Sequence, residues 1–414
     1  MNLQLKKSES SSPKSEISIT GSKSETNRLL LLQALYPNLV LENTSNSDDS
    51  EVMMKVLNDF QFPISNFVFD VHHAGTAMRF LTAYFAIQEG KEVVLTGSSR
   101  MKERPIQILV EALNQLGAEI SYVEKEGFPP IKIKGKKIIK NKVALPANVS
   151  SQYISALLLI APKLENGLEL TLEGEITSVP YIKMTLSLLN EIGAVTSFKE
   201  NVIKVNNLQT ITSKLITVES DWSSASYWYS IIALSEIGAE IQLSSYKENS
   251  LQGDAVLAEI YRNFGVETDF NTNLILLRKV ENLKPETLNL KLNNCPDIAQ
   301  TIAVTCFGLR IGCHLTGLHT LKIKETDRLE ALKNELTKLG AIISVTNDSL
   351  TLQPAEGINE NVSIATYQDH RMAMAFAPLA LKTAISIENA EVVSKSYPSF
   401  WEDLEKFGLQ SESI

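Results

Sequence analysis

At 414 residues, 44% hydrophobic and 21% charged, the chain has the balance of a soluble globular protein and room for two domains. A net charge of −9 argues against a general nucleic-acid or anionic-membrane surface, but not against an anionic small molecule held by a local group of cations. Three cysteines without a C-x-x-C pair and only five histidines offer no redox or metal motif. The polar, Ser-rich first 16 residues carry no signal-like apolar stretch, and runs such as residues 154–162 are too short to span a bilayer. A cytoplasmic protein is expected.

In chain order, a first amphipathic helix runs through Met53, Val56, Leu57 and Phe60. Five more end in an apolar residue followed by Gly117, Gly193, Gly265, Gly340 and Gly408, roughly every 70–75 residues. A glycine there fits a left-handed C-cap, and the alternating stretches that follow, such as residues 341–352, read as strands. The period is too long for a solenoid and points to a βαβ-containing subdomain used repeatedly. Three of the helices precede residue 218 and three follow it. Two similar domains of three copies each are expected, with a crossover near Val218–Ser220.

Polar motifs recur at predicted helix starts. Gly21-Ser22-Lys23-Ser24-Glu25-Thr26-Asn27-Arg28 leads into an apolar run and suits a phosphate or carboxylate, or serves as a solvated cap. Its spacing is not that of a P-loop. Ala74-Gly75-Thr76-Ala77-Met78-Arg79 repeats the design, with a glycine that lets backbone approach a ligand. Arg104 stands before Pro105 at a predicted helix start, and Ser150-Ser151-Gln152 crowds another. Asp297 edges an apolar helix over residues 298–307, where a cap is the plain alternative. Lys324-Glu325-Thr326-Asp327-Arg328 opens the helix striped by Leu329, Leu332, Leu336 and Leu339, and carries more charge than a cap needs. Asp369-His370-Arg371 and Lys395-Ser396-Tyr397-Pro398 complete the set.

An acidic chain thus puts Lys23, Arg28, Arg79, Arg104, Lys324, Arg328, Arg371 and Lys395 at or near helix starts. If the two domains face one another, these cations would converge on a ligand with several anionic groups, with Glu325 and Asp297 as acid/base candidates. The residues alone reach an enzyme acting on phosphorylated, carboxylated metabolites.

GSKSETNR, AGTAMR, LTGSSRMKERPI, SSQ, DWSSASYW, PDIAQTIA, KETDRL and DHRMAM occur in the order and spacing of the 5-enolpyruvylshikimate-3-phosphate synthases, from about Gly21 to Pro398. The chain resembles that family. The resemblance implies an α/β (α+β) fold of two similar domains, each of three βαβαββ repeats in an inside-out α/β barrel. One domain would comprise residues 1–21 plus 219–414 and the other 22–218, with a double-crossover hinge near 21–22 and 218–220. It also implies transfer of the enolpyruvyl group of phosphoenolpyruvate to the 5-hydroxyl of shikimate 3-phosphate. No metal or organic cofactor, nucleic acid or membrane is implied, and a monomer is expected.

Carried over by motif, Lys23 resembles the residue that contacts both substrates, and Ser24 and Arg28 match positions that hold the shikimate carboxylate. Ser150, Ser151, Ser178 and Lys324 match contacts to shikimate 3-phosphate, and Gln152 lies between the two ligands. For phosphoenolpyruvate, Arg328 and Arg371 would take the carboxylate, and Lys23, Gly75, Arg104 and Lys395 the phosphate. Asp297 resembles the base facing the 5-hydroxyl, and Glu325 the acid that protonates the methylene carbon. Three positions depart from the pattern: His73 for an Asn, Phe80 for a Pro, and Thr320 for an Asn. Two alternatives stand beside this reading. A UDP-N-acetylglucosamine enolpyruvyl transferase would carry a first-domain cysteine, whereas all three here follow residue 290. A catalytically silent binding protein would lack Lys23, Asp297 or Glu325, and all three are present.

Overall fold

The five helix-ending glycines all adopt the left-handed region, with φ between 71° and 112°. A Cβ there would crowd the next carbonyl, so glycine lets each helix stop and the chain turn back. A computed structural model describes residues 1–7, 14–61, 66–146, 150–174, 176, 179–283 and 285–414.

After each of these glycines comes a strand that pairs antiparallel with one other strand, and that pair is added to a parallel pair. In the plainest copy, Asn66–Asp70 runs parallel to Glu92–Thr96, which pairs with Ile131–Lys134, which pairs with Glu119–Tyr122. Lys142–Pro146, Leu168–Glu173, Val202–Val205 and Thr196–Lys199 repeat it, as do Thr287–Lys291, Gly312–Thr316, Ser349–Leu352 and Ile343–Val345. A helix connects the parallel strands, the crossover a parallel pair requires.

Two copies are assembled from distant segments. Lys14–Ile17 pairs with Glu240–Ser244, so one copy spans the whole stretch between them. Leu3–Lys7 completes another by lying between Ile385–Ile387 and Leu409–Ser413. The sixth copy is shorter. Lys214–Thr217 and Leu39–Glu42 form a two-stranded sheet among the described residues. Its second helix, Asp48–Asp59, ends on Phe60 in right-handed geometry, without the glycine that marks the other five.

The chain divides into one unit of Gly21–Val218 and one of Met1–Thr20 with Glu219–Ile414. In the first, helices Lys23–Leu35, Gly75–Ala86 and Ser151–Ile160 pack on one another. In the second, Trp222–Leu234, Ala299–Leu309 and His370–Phe376 do the same. Most of these helices are apolar nearly all round because neighbouring helices, turns or strands pack about them. Each fully buried Leu, Ile or Phe contributes about 1.5–3 kcal/mol by leaving water. Apart from Gln33, Ala34 and Leu35 in the last turn of Lys23–Leu35, the positions left open are in first turns: Lys23, Ser24, Thr76, Gln152, Ser223 and Arg371. The fold therefore seals its helices along their length and presents their N-terminal ends.

Candidate active site

In the Gly21–Val218 unit, Lys23 begins its helix with Nζ 3.6 Å from Asp49 Oδ2, and half-buried Ser24 follows. Arg28, one turn on, is 3% exposed. Its Nε donates to Thr185 Oγ1 (2.8 Å), NH1 to Ser24 O (2.6 Å), and NH2 to Ser155 Oγ (2.9 Å) and Tyr181 O (3.5 Å). The rings of Phe80 and Tyr181 lie 5.4 and 5.7 Å from its guanidinium carbon. Burial lowers its pKa to about 10. A buried cation held by neutral oxygens and ring faces is well suited to an incoming anion.

Gly75 opens the next helix, and its missing side chain is occupied by Arg104: a Cβ there would lie 2.5 Å from NH1. Arg104 is fixed through its neighbour. Arg79 NH2 donates to Pro105 O at 2.9 Å, and Tyr153 Oη donates to the same oxygen at 2.5 Å. Arg104 itself has no hydrogen bond or ion pair from its guanidinium among the described residues. Burial, and secondly the charge of Arg104, lower the pKa of Arg79 to about 10. Two guanidiniums repel at a helix N-terminus, an arrangement that a dianion relieves. Sequence placed Arg104 at a helix start; the helix is Gln107–Leu116, so Arg104 sits in the preceding connection. Ser150 caps the third helix, accepting from Gln152 N, while Ser151 is buried and Gln152 Nε2 donates to Thr76 Oγ1 at 3.1 Å. Ser178 lies outside the described residues.

The other unit is built around Arg328, 2% exposed in the first turn of Arg328–Lys338. Its Nε donates to Asp369 Oδ2 (2.6 Å), NH1 to Asp297 Oδ1 (2.8 Å) and NH2 to Glu325 Oε2 (2.8 Å). Asp327 is the cap, accepting from Glu330 N. Asp297 is not a cap: it lies in the 3-10 turn Pro296–Ile298, and three cations face its carboxylate. Lys324 Nζ is 3.4 Å away, Arg328 NH1 2.8 Å and Arg371 NH2 3.6 Å. Burial alone would push its carboxyl up, but Lys324, Arg371 and Arg328 hold it well below the usual range. Burial likewise opposes the charge on Arg328, and Asp369, Glu325 and Asp297 more than restore it. Lys395 Nζ donates to Gln368 O at 2.7 Å, close in sequence to the Asp369 cap.

Sequence reading passed over several members of these clusters. Asp369 was legible only as part of a charged triplet, yet it is fully buried and bonds Arg328 while capping His370–Phe376. Asp49, Ser155, Thr185, Ser223 and Asp254 were not singled out; burial of the polar side chains of Asp49, Ser155, Thr185 and Asp254, and the bond of Ser223 to Asp254, are the signals that find them. Among the described residues no group of three His, Cys, Asp or Glu is placed to hold a metal, and no helix is long and apolar enough to cross a membrane.

Residues 58–404 match the family of EPSP synthase (3-phosphoshikimate 1-carboxyvinyltransferase). The chain is 47% identical over 404 residues to the 3-phosphoshikimate 1-carboxyvinyltransferase of Bacteroides fragilis strain YCH46, covering 96% of each. It is 34% identical over 426 residues to that of Haemophilus influenzae strain Rd, covering 95% of this chain and 96% of the other. The solved EPSP synthase of Acinetobacter baumannii shares its fold over 100% of both chains, with a TM-score of 0.83 at 20% identity.

Proposed function

Because the chain belongs to the EPSP synthase family, we propose that it transfers the enolpyruvyl group of phosphoenolpyruvate to the 5-hydroxyl of shikimate 3-phosphate, releasing phosphate. The observation that carries this reading beyond likeness is the sharing of one buried guanidinium, that of Arg328, by Asp297 and Glu325. It ties two carboxyls of different setting to one point, as a reaction that moves a proton both to carbon and from oxygen requires.

In this reading Glu325, about a quarter exposed, delivers a proton to the methylene carbon of phosphoenolpyruvate. The adjacent carbon gains cationic character, and the 5-hydroxyl oxygen attacks it while its proton leaves toward Asp297. The tetrahedral intermediate then breaks its bond to the phosphate oxygen. A methyl proton returns to the carboxylate and the double bond reforms. Arg328 and Arg371 hold the phosphoenolpyruvate carboxylate; Lys23, Gly75, Arg104 and Lys395 hold its phosphate, and Gln152 lies between the two ligands. Ser24 and Arg28 take the shikimate carboxylate. Ser150, Ser151, Ser178 and Lys324 complete the shikimate 3-phosphate contacts.

Two features shape the mechanism. Arg328 reaches its ligand with its donors already directed at carboxylates, so it fixes Asp297 and Glu325 as much as it binds. Asp297, ionised at any working pH, is a weak base while Lys324, Arg371 and Arg328 face it. Substrate anions drawing on those cations raise its basicity when it is needed. The chain passes between the units at residues 20–21 and 218–219, where this reading places the hinge. The reading also makes the enzyme a cytoplasmic monomer, in keeping with three buried, unpaired cysteines. Light scattering should return a mass near 45.8 kDa.

A phosphate-release assay tests the function. Phosphate should appear with phosphoenolpyruvate and shikimate 3-phosphate together and with neither alone. Release with UDP-N-acetylglucosamine in place of shikimate 3-phosphate would overturn the assignment.

A further inference from the structure

Thirty residues beyond the start of the Trp222–Leu234 helix, the chain returns to that helix and locks onto it. Gln252 Oε1 accepts from Trp222 N at 2.9 Å, and Gln252 Nε2 donates to Ser220 O at 2.9 Å. The Ser250 hydroxyl donates to Glu219 Oε2 at 2.7 Å and accepts from Gln252 N at 3.1 Å. These bonds carry Asp254, 5% exposed, to the open first turn of the helix. There the Ser223 hydroxyl donates to Asp254 Oδ2. Asp254 has no ion pair within salt-bridge distance among the described residues.

A serine hydroxyl has one proton. With that proton given to Asp254, the Ser223 oxygen presents only lone pairs to the other side, where Arg371 NH2 donates to it at 3.3 Å. Arg371 NH1 donates to Asp297 O at 3.2 Å, and NH2 lies 3.6 Å from Asp297 Oδ2. Arg371 thus donates to both sides, to Asp297 directly and to Ser223, whose own proton goes on to Asp254. Remove the carboxyl and the Ser223 hydroxyl is free to rotate its proton toward the guanidinium. Burial, and secondly the negative charge of Asp297, push the Asp254 carboxyl up to about 6. A carboxyl retained at such a cost, with its bond spent on a hydroxyl rather than on its own turn, calls for a role.

We propose that Asp254 is a positioning residue: by fixing the polarity of Ser223 it holds the Arg371 guanidinium in the plane that receives the substrate carboxylate. The inference rests on the assignment of Arg371 to phosphoenolpyruvate in the functional reading above.

Steady-state kinetics and calorimetry of the full chain test it. In Asp254→Ala the KM for phosphoenolpyruvate should rise about tenfold, the usual worth of one bond to a charged group, with kcat changed by less than about threefold. Affinity for shikimate 3-phosphate, titrated alone, should stay within about twofold. Asp254→Asn keeps an oxygen that can accept from Ser223, and should bring KM back to within about threefold of the parent. Ser223→Ala cuts the same link from a half-buried first-turn position. It should match Asp254→Ala, and the double variant should be no worse than either alone. A normal KM in Asp254→Ala overturns the proposal, as does a loss shared equally by both substrates or an Asn variant as impaired as the Ala one. If Asp254→Ala does not fold, a normal KM in Ser223→Ala overturns it on the same readout. A parent chain with no transfer activity overturns the functional reading and this inference with it. An active parent with any of the contrary outcomes overturns the inference alone.

Discussion

In the Gly21–Val218 unit Arg28 donates to hydroxyls and carbonyls and Arg104, unpaired among the described residues, lies against Gly75, whereas in the other unit Arg328 donates to three carboxylates and Asp297 faces three cations. The same device, a basic residue near a helix N-terminus, is left open in one unit and closed in the other. An open cation awaits an anion; a closed one sets the protonation and direction of its carboxylates. Under the proposed function, both units supply cations to the substrates, and the carboxyls that move protons belong to the second alone.

The largest effect expected from that division is on turnover. Glu325→Gln should reduce kcat by about two to four orders of magnitude, the reach of a general acid. Shikimate 3-phosphate should still bind, as calorimetry would show. An equally severe loss of that binding would mean that proton chemistry and docking are not separated.

Stability should then distinguish the two buried arginines. Arg328→Met strands Asp297, Asp369 and Glu325 around one vacancy and should cost roughly 3–5 kcal/mol in urea unfolding. Arg28→Met strands mainly hydroxyls and carbonyls, and about 1–2 kcal/mol is expected. Equal losses would show that the difference in partners has no energetic content.

A smaller effect belongs to Asp254 and depends on pH. Its pKa stands at about 6 in the folded protein against 3.8 for an ordinary Asp. Below pH 4 or so the group is neutral in both states. As pH rises to about 6 the unfolded chain ionises first, so folded stability falls across that window. Asp254→Asn has no proton to lose. Relative to the parent it should gain roughly 3 kcal/mol between pH 4 and pH 7. A stability difference that does not move with pH would mean Asp254 ionises as readily folded as unfolded.

The smallest is Gly75→Ala. The new methyl would press on the Arg104 guanidinium at 2.5 Å, and the far end of a flexible side chain can give way. The KM for phosphoenolpyruvate should rise about tenfold with turnover largely kept. If shikimate 3-phosphate weakened instead, the open cation of this unit would serve the other ligand.

Where sequence carried the structure, the reason is local. A glycine after a helix has few roles besides a left-handed cap, so Gly117, Gly193, Gly265, Gly340 and Gly408 marked the helix-to-sheet turns of five copies. The unmarked Phe60 fell in the copy with the two-stranded sheet. Charged clusters were legible because burying several charges in one motif has few structural motives. What stayed hidden depends on partners far along the chain. At Asp297 a cap stood beside the acid/base reading until Arg328 and Arg371 were seen next to it. Asp254 sits in an unremarkable Gln-Gly-Asp, and its meaning comes from Ser223, 31 residues earlier, and from Arg371. The neutral setting of Arg28 arises from Ser155 and Thr185, more than a hundred residues away.

The placement of Leu3–Lys7 between Ile385–Ile387 and Leu409–Ser413 has a consequence for synthesis. A ribosome makes the first strand of that sheet long before its partners, so the strand must stay unpaired through nearly the whole of translation. Residues 21–218 meet no such delay, since every strand of their sheets has emerged once residue 217 is made. The inserted unit can therefore fold while its host is still being made. Its two ends meet, Gly21 lying against Val218, and so it removes a loop of about 200 residues from the host's own closure entropy.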